Sequence, residues 1–293
     1  MARAASASTE AGVRWRPAGF AVVLAVLCAL SWWLAGGAMQ SGPEAEGPFA
    51  AAIARGTLIV AVSPRPAPAL NVGPVDRTSR VPDAYSAALA SDLARRAGLP
   101  VEFLLAGTRE ARTAVQSGKA DVAIAALPFA PDASVAFAPT AYTTGRGMAL
   151  VLRHSSVRGW DDLRGRSICA SRGSPFATRA AQSHHATLQS FERPLDALLA
   201  FQAGECTALV DDELVVRALL KQVSWTYYRA LPGTIAPSPA FIASAGGDVA
   251  TAAFIDDTVR DWHRHRWLAT VRQDQASHLA FDMFNAENDL YCH

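Results

Sequence analysis

The stretch QSGKADVAIAAL (116–127) holds the pattern on which the fold turns. Gly118 stops a helical run through Ala111, Ala114 and Val115, and DVAIAAL (121–127) follows as an apolar run too short for a helix. An uninterrupted apolar run of that length is a strand buried on both faces. The same units recur upstream. TLIVAV (57–62) is a β-branched run ended by Ser63-Pro64, and Tyr85, Leu89, Leu93 and Ala97 recur every four residues before a glycine stop at Gly98. Leu99–Leu105 is strand-like. Strand, helix, strand, helix, strand in that order predicts a parallel sheet with helices on both faces.

A second alternating block follows an extended passage through MALVLR (148–153). It comprises SICAS (167–171), a helix opening at Ser174-Pro175, LQSF (188–191) and a helix with Leu195, Leu198, Leu199 and Gln202 at i, i+3, i+4 and i+7. CTALVDD (206–212) reads as a strand, and the next helix carries Val215, Val216, Leu219 and Leu220. The chain returns through PAFIAS (239–244) and closes with helices bearing Ile255, Val259 and Trp262, then Trp267, Leu268 and Val271. The expected architecture is α/β with two doubly wound lobes, 56–147 plus 239–293 and 148–238, joined by two hinge crossovers. A cleft between such lobes is where a ligand is held. The alternative is one ordinary doubly wound enzyme domain.

Residues 1–40 stand apart. Arg3, Arg14 and Arg16 precede a stretch without charge until Glu44, with an apolar core over Ala18–Leu34 and small residues at Ala35–Ala38. Basic first and apolar second is the pattern of an export signal. It is read either as a cleaved signal peptide or as an uncleaved anchor, since about 20 apolar residues span a bilayer. In the second case residues 18–38 contact the membrane. Residues 41–55 are expected to be a tether, from the small, polar, proline-punctuated Gln40–Pro48. The remainder is therefore placed in the periplasm or otherwise outside the cytoplasmic membrane.

Composition narrows the function. The 293 residues are 51% hydrophobic and 18% charged at a formal net charge of +1, which excludes a disordered chain and argues against nucleic-acid binding. Without residues 1–40, which hold three Arg and one Glu, the net charge is −1. Basic residues are almost all Arg, with Lys only at Lys119 and Lys221. Three cysteines lie beyond the signal, Cys169, Cys206 and Cys292, in a compartment that permits a disulfide.

Two places carry candidate chemistry. Arg172-Gly173-Ser174-Pro175 follows a buried strand and opens a helix, with Ser as N-cap and Pro at the first position. Such a terminus offers unsatisfied N–H groups to an anion, Gly173 permits close approach, and Arg172 offers a two-pronged donor. The competing reading is a capped helix with a solvated Arg. Asp211-Asp212 end a strand at its carboxyl end, where open α/β sheets place ligands, and Asp212 is the candidate facing the cleft. The competing reading is an N-cap for the helix that follows. Arg65, after the first strand, and Arg146, at the first crossover, are preferred over Arg109 and Arg112 as the lobe-one cation. Asp261, His263 and His265 lack a third ligand for a metal, and His184-His185 reads as a loop. No metal and no cofactor are expected.

In order and spacing, several blocks resemble the periplasmic solute-binding proteins of the polar amino-acid type (extracellular solute-binding family 3), over roughly residues 56–273. They are GTLIVAV (56–62), QSGKADVAIAAL (116–127), FAPTAYTTGRGMALVLR (137–153), DDLRGRSICASRGSP (161–175) and FERPLDALLAFQAGECTALVDD (191–212). The resemblance implies the type II two-lobed periplasmic-binding-protein fold, with Tyr142, Thr144 and Gly145 on a crossover motif and Tyr142 a candidate ligand contact. It further implies ligand contact by Gly173-Ser174 and pairing of Asp212 with a ligand ammonium. Cys169 and Cys206 are the implied disulfide pair. It departs in lobe one: Ala133 stands where the family has its carboxylate-clamping Arg, and Pro66 and Thr108 stand at aromatic positions.

The expectation is ligand capture without chemistry: a small carboxylate-bearing, amino-acid-like solute, delivered to an ABC-type permease or presented to another envelope protein. Two alternatives are an interaction or sensory module that lost the solute site, marked by apolar residues facing the cleft from lobe one, and a cyclohexadienyl-dehydratase-like enzyme. The enzyme would need a general acid opposite the leaving hydroxyl, for which Asp211 and Asp212 are the candidates; a raised pKa on one of them plus a lobe-one cation would favour it.

Overall fold

The structure is a computed structural model in which residues 47–67 and 79–277 are described. The signal or anchor at 1–40, the membrane contact at 18–38 and Cys292 lie outside the described residues.

Two five-stranded sheets form the framework. The first contains β1 (Leu58–Val62), β4 (Val101–Leu105), β5 (Val122–Leu127), β6 (Val135–Phe137) and β12 (Phe241–Ala245), in the order β4-β1-β5-β12-β6. β1 is parallel to β4 and β5, whereas β12 runs antiparallel to β5 and β6. The second contains β7 (Gly147–Leu152), β8 (Ser167–Ser171), β9 (Thr187–Phe191), β10 (Ala208–Asp212) and β11 (Tyr228–Ala230), in the order β11-β7-β10-β8-β9. Here β8 is parallel to β9 and β10, and β7 is antiparallel to β10 and β11. Both sheets are thus mixed rather than wholly parallel. β6 and β11 are three-residue strands, too short for periodicity to register. A small hairpin, β2 (Pro64–Pro66) with β3 (Arg80–Pro82), leads out of β1.

Helices cover both faces of each sheet, which is why the strands read as continuous apolar runs. On the first sheet, Leu58, Val60 and Val62 pack with α2 (Ala84–Ala97) and α7 (Val249–Arg264). Ala61, Ala123 and Ala125 face α3 (Thr108–Gln116). In the second, Leu150 and Leu209 pack under α5 (Pro194–Gln202) and α6 (Glu213–Leu220), while Val151 and Val210 pack under α4 (Pro175–His184). Alternate residues of one strand thereby enter different cores. Each large side chain so buried contributes about 1.5–3 kcal/mol.

Three expectations are corrected. The tether does not extend to residue 55. Helix α1 (Ala50–Arg55) docks on lobe one through buried Phe49 and Ala52, and the Phe49 N–H donates to Thr251 Oγ1 at 2.7 Å. His184 is no loop residue: it ends α4, stacks on Trp160 and lies 2.9 Å from Asp161. The closing helices do not belong to lobe one alone. Residues 267–277 are helical (α8); Trp267 and Leu268 pack in the first lobe's core, but Ala276 is buried in the second's.

The crossovers run side by side. Tyr142 N–H donates to Ala240 O at 2.9 Å, and Gly147 and Ile235 exchange backbone hydrogen bonds at 2.8 and 2.9 Å. Among the described residues no helix is long and apolar enough to cross a membrane.

Candidate functional site

β8 and β10 run parallel, so their carboxyl ends share one edge, and α4 and α6 begin there. Ser174 caps α4: its Oγ accepts from Ala177 N–H at 3.3 Å, and Pro175 occupies the first helical position, as the residue types dictate. Ser174 is buried. Gly173 has φ +78°, and a Cβ there would meet nothing within 4 Å, so the glycine serves the backbone turn and leaves open space beside it. The Arg172 guanidinium turns to Glu192 at 2.8 Å and stays largely exposed, which leaves its carbonyl, not its side chain, toward lobe one.

Lobe one answers with Arg65. Its Nε donates to Asp83 Oδ1 at 2.9 Å, and its Nη1 crosses to Arg172 O at 2.8 Å. Asp83 is held in turn as the N-cap of α2, accepting from Ser86 N–H and Oγ–H. Arg65 is therefore a brace between lobes. Arg146 is exposed on the crossover, and its carbonyl accepts from Glu213 N–H at 2.9 Å. Arg112 is bound to Asp132 at 2.6 Å and Ala130 O at 2.8 Å, beside the exposed Ala133.

Tyr142 belongs to the lobe-one core. Its hydroxyl accepts from Ala126 N–H at 3.0 Å, and its carbonyl accepts from the Tyr85 hydroxyl at 3.2 Å. Burial raises the phenol pKa of both tyrosines; at Tyr85 the neighbouring Arg272 opposes the rise while Asp83 and Asp212 add to it. Tyr85 of lobe one thus lies within the electrostatic reach of Asp212 of lobe two. Ala126 has φ 53°, a conformation L-residues avoid, at the carboxyl end of β5.

The two aspartates are both buried and do different things. Asp211 accepts from Asp212 N–H at 2.7 Å. Burial pushes its carboxyl up to about 6, with the Asp212 charge adding and Arg65 opposing. Asp212 caps α6, its Oδ1 accepting from Leu214 N–H at 2.8 Å. It also receives Arg272 Nη1 on both oxygens, at 3.0 and 2.9 Å. Burial still raises the Asp212 pKa, since it outweighs the cation beside it. The N-cap and the ligand-facing readings of Asp212 are therefore not exclusive, but its charge already has a partner within the chain.

Arg272 is the residue that sequence reasoning missed. It lies on α8 at i+4 from Leu268 and i−4 from Ala276, both buried, so a charge interrupts an apolar stripe. That interruption was the available signal. Its Nε is enclosed and lacks a hydrogen-bond partner. Gly145, at φ +93°, lies against the same guanidinium, and any Cβ at that position would overlap it.

Cys169 of β8 and Cys206, just ahead of β10, form a disulfide with Cα atoms 5.6 Å apart. His263 Nε2 lies 2.8 Å from Ala141 O, while Asp261 pairs with Arg96 and His265. Among the described residues no His, Cys, Asp and Glu group is arranged to hold a metal ion.

No family model and no curated protein matches the chain. Solved structures do. A mutant of ArgBP from T. maritima matches at TM-score 0.52 and 20% identity, over 76% of this chain and 96% of that one. The amino-acid ABC transporter substrate-binding protein AbpA from Streptococcus pneumoniae Canada MDR_19A, bound to L-arginine, matches at 0.53 and 20%, over 78% and 98%. An ancestral arginine-binding protein bound to arginine matches at 0.51 and 22%, over 75% and 98%. The shared fold is the two-lobed α/β fold expected from the sequence.

Proposed function

We propose that the protein captures a small carboxylate-bearing solute between its lobes, outside the cytoplasmic membrane, and presents the closed form to an ABC-type permease. The reading draws on the likeness in fold to amino-acid ABC transporter substrate-binding proteins. The observation that carries it is the facing pair at the cleft. On lobe two stands the N-terminus of α4, with open space beside Gly173; from lobe one comes Arg65, already reaching Arg172 O at 2.8 Å. A solute carboxylate there meets backbone N–H groups and a cation from opposite lobes, and contacts with both exist together only when the lobes are shut.

A thermal-shift screen of the purified protein against amino acids, 2-oxo acids and small anions tests the proposal. The expected result is saturable stabilisation by a carboxylate, about 2.7 kcal/mol at a concentration 100 times its Kd. Both Arg65→Ala and Ser174→Ala should weaken it. A melting curve that no carboxylate moves would end the proposal.

A second reading, an interaction or sensory module, is favoured by the internal partner of Asp212. Leu105 and Phe129, exposed at and just beyond the carboxyl ends of β4 and β5, favour it further. A flat response to every solute, together with loss of an envelope-protein complex in Phe129→Glu, would select it. For the dehydratase reading, burial raises Asp211 to about 6 while the Arg65 charge opposes the rise, and these are the features that favour it. It would require water loss from a carboxylate substrate that Asp211→Asn abolishes.

A further inference from the structure

Asp212 is a buried carboxylate at the interlobe edge, and its two oxygens are spanned by a single nitrogen of Arg272. The helix that brings Arg272 is anchored at one end by Trp267 and Leu268 in the first lobe and at the other by Ala276 in the second. Both side chains are largely enclosed, at 18% and 10% exposure, so neither charge is satisfied by bulk water. Gly145 leaves room for the guanidinium where any side chain would collide with it. One cation is thus held over one carboxylate, in contact with the crossover glycine.

We infer that Arg272 is a tethered counter-cation occupying the cation subsite of the cleft, and that it sets the class of solute the cleft accepts: carboxylates without an ammonium or guanidinium group. The statement of solute class rests on the capture function proposed above; the occupancy of the subsite does not. A free ammonium reaching Asp212 must displace a guanidinium that is attached to the chain and needs no translational entropy to bind, so the tethered group wins at ordinary solute concentrations. With Asp212 paired by Arg272, the α4 N-terminus favours an anion at this edge, and Arg65 adds a guanidinium whose Nε is already held by Asp83 at 2.9 Å.

The experiment is chemical rescue in the intact protein. Arg272→Ala vacates the subsite, and methylguanidinium is titrated into it while the melting temperature is followed. Expected is a saturable rise of several degrees in Arg272→Ala, none in wild type, and none in Arg272→Ala/Asp212→Asn. An equal response in all three, or no response in Arg272→Ala, overturns the inference. Should Arg272→Ala not fold unaided, refolding with methylguanidinium present supplies the same readout, and Arg272→Lys, keeping the charge, should fold and ignore the additive; failure of either counts against it. In wild type, each 2-oxo acid should bind at least tenfold more tightly than the matching α-amino acid, and the reverse order overturns the assigned solute class. If wild type binds neither, the capture function fails, while the rescue result still decides who occupies the subsite.

Discussion

Arg272 and Asp212, sixty residues apart, join the two lobes through one guanidinium nitrogen that lies 2.9–3.0 Å from both carboxylate oxygens. The pair is largely enclosed, and the pKa of Asp212 is raised by burial despite its partner. Desolvation outweighs the attraction of the cation here, and removing one partner of such a buried pair costs more than removing both.

A double-mutant cycle measures that coupling. Arg272→Met leaves a buried carboxylate unpaired and should destabilise by about 3 kcal/mol. The double variant Arg272→Met/Asp212→Asn should recover about 1–3 kcal/mol of coupling energy, read from urea unfolding curves. Strict additivity would show that the two side chains do not interact in solution.

Gly145 makes the same contact testable from the other side. Gly145→Ala meets two obstacles, a φ of +93° and overlap with the Arg272 guanidinium. The backbone part alone costs about 1–2 kcal/mol. In an Arg272→Ala background only that part should remain, so the substitution should cost less there than in wild type.

Asp211 predicts a pH dependence. Its carboxyl is raised to about 6, so between about pH 4 and 6 the folded state holds a proton that the unfolded state has released. Its favourable contribution is fully present below about pH 4 and is lost as the pH climbs through 6. Asp211→Asn keeps an acceptor for Asp212 N–H without the charge. The variant should be more stable than wild type at pH 7–8, by up to about 3 kcal/mol, with the gap closing toward pH 4. A gap that widens on acidification would contradict this assignment.

The disulfide closes a loop spanning a sequence separation of 37 within lobe two. Chain-entropy reasoning assigns such a closure about 3–4 kcal/mol. Cys169→Ser/Cys206→Ser should lower the melting temperature of the oxidised protein to that of wild type under reducing conditions, and reductant should leave the variant unchanged.

Much of the framework was legible. The run DVAIAAL and the glycine stops at Gly98 and Gly118 announce strands and helix ends because they act through neighbours within a turn or two. Ser174-Pro175 announced a capped helix for the same reason. The three-residue strands β6 and β11 escaped because their pairing partners, not their own residues, define them. Phe49 sits in a stretch that reads as a tether because its docking partner, Thr251, lies 202 residues away.

The candidate site divided along the same line. By itself the sequence determined two layered α/β units, the Ser-capped start of α4 and a carboxylate pair at a strand end, since each is written in local spacing. Only the tertiary structure decided that Arg65 braces the lobes, that Arg172 turns to Glu192, and that Asp212 meets Arg272. The physical reason is that charges pair by proximity in space. Arg272 reaches Asp212 because α8 is pinned by Leu268 in one core and Ala276 in the other, and no local pattern states where a helix anchored in two lobes will set its one enclosed cation.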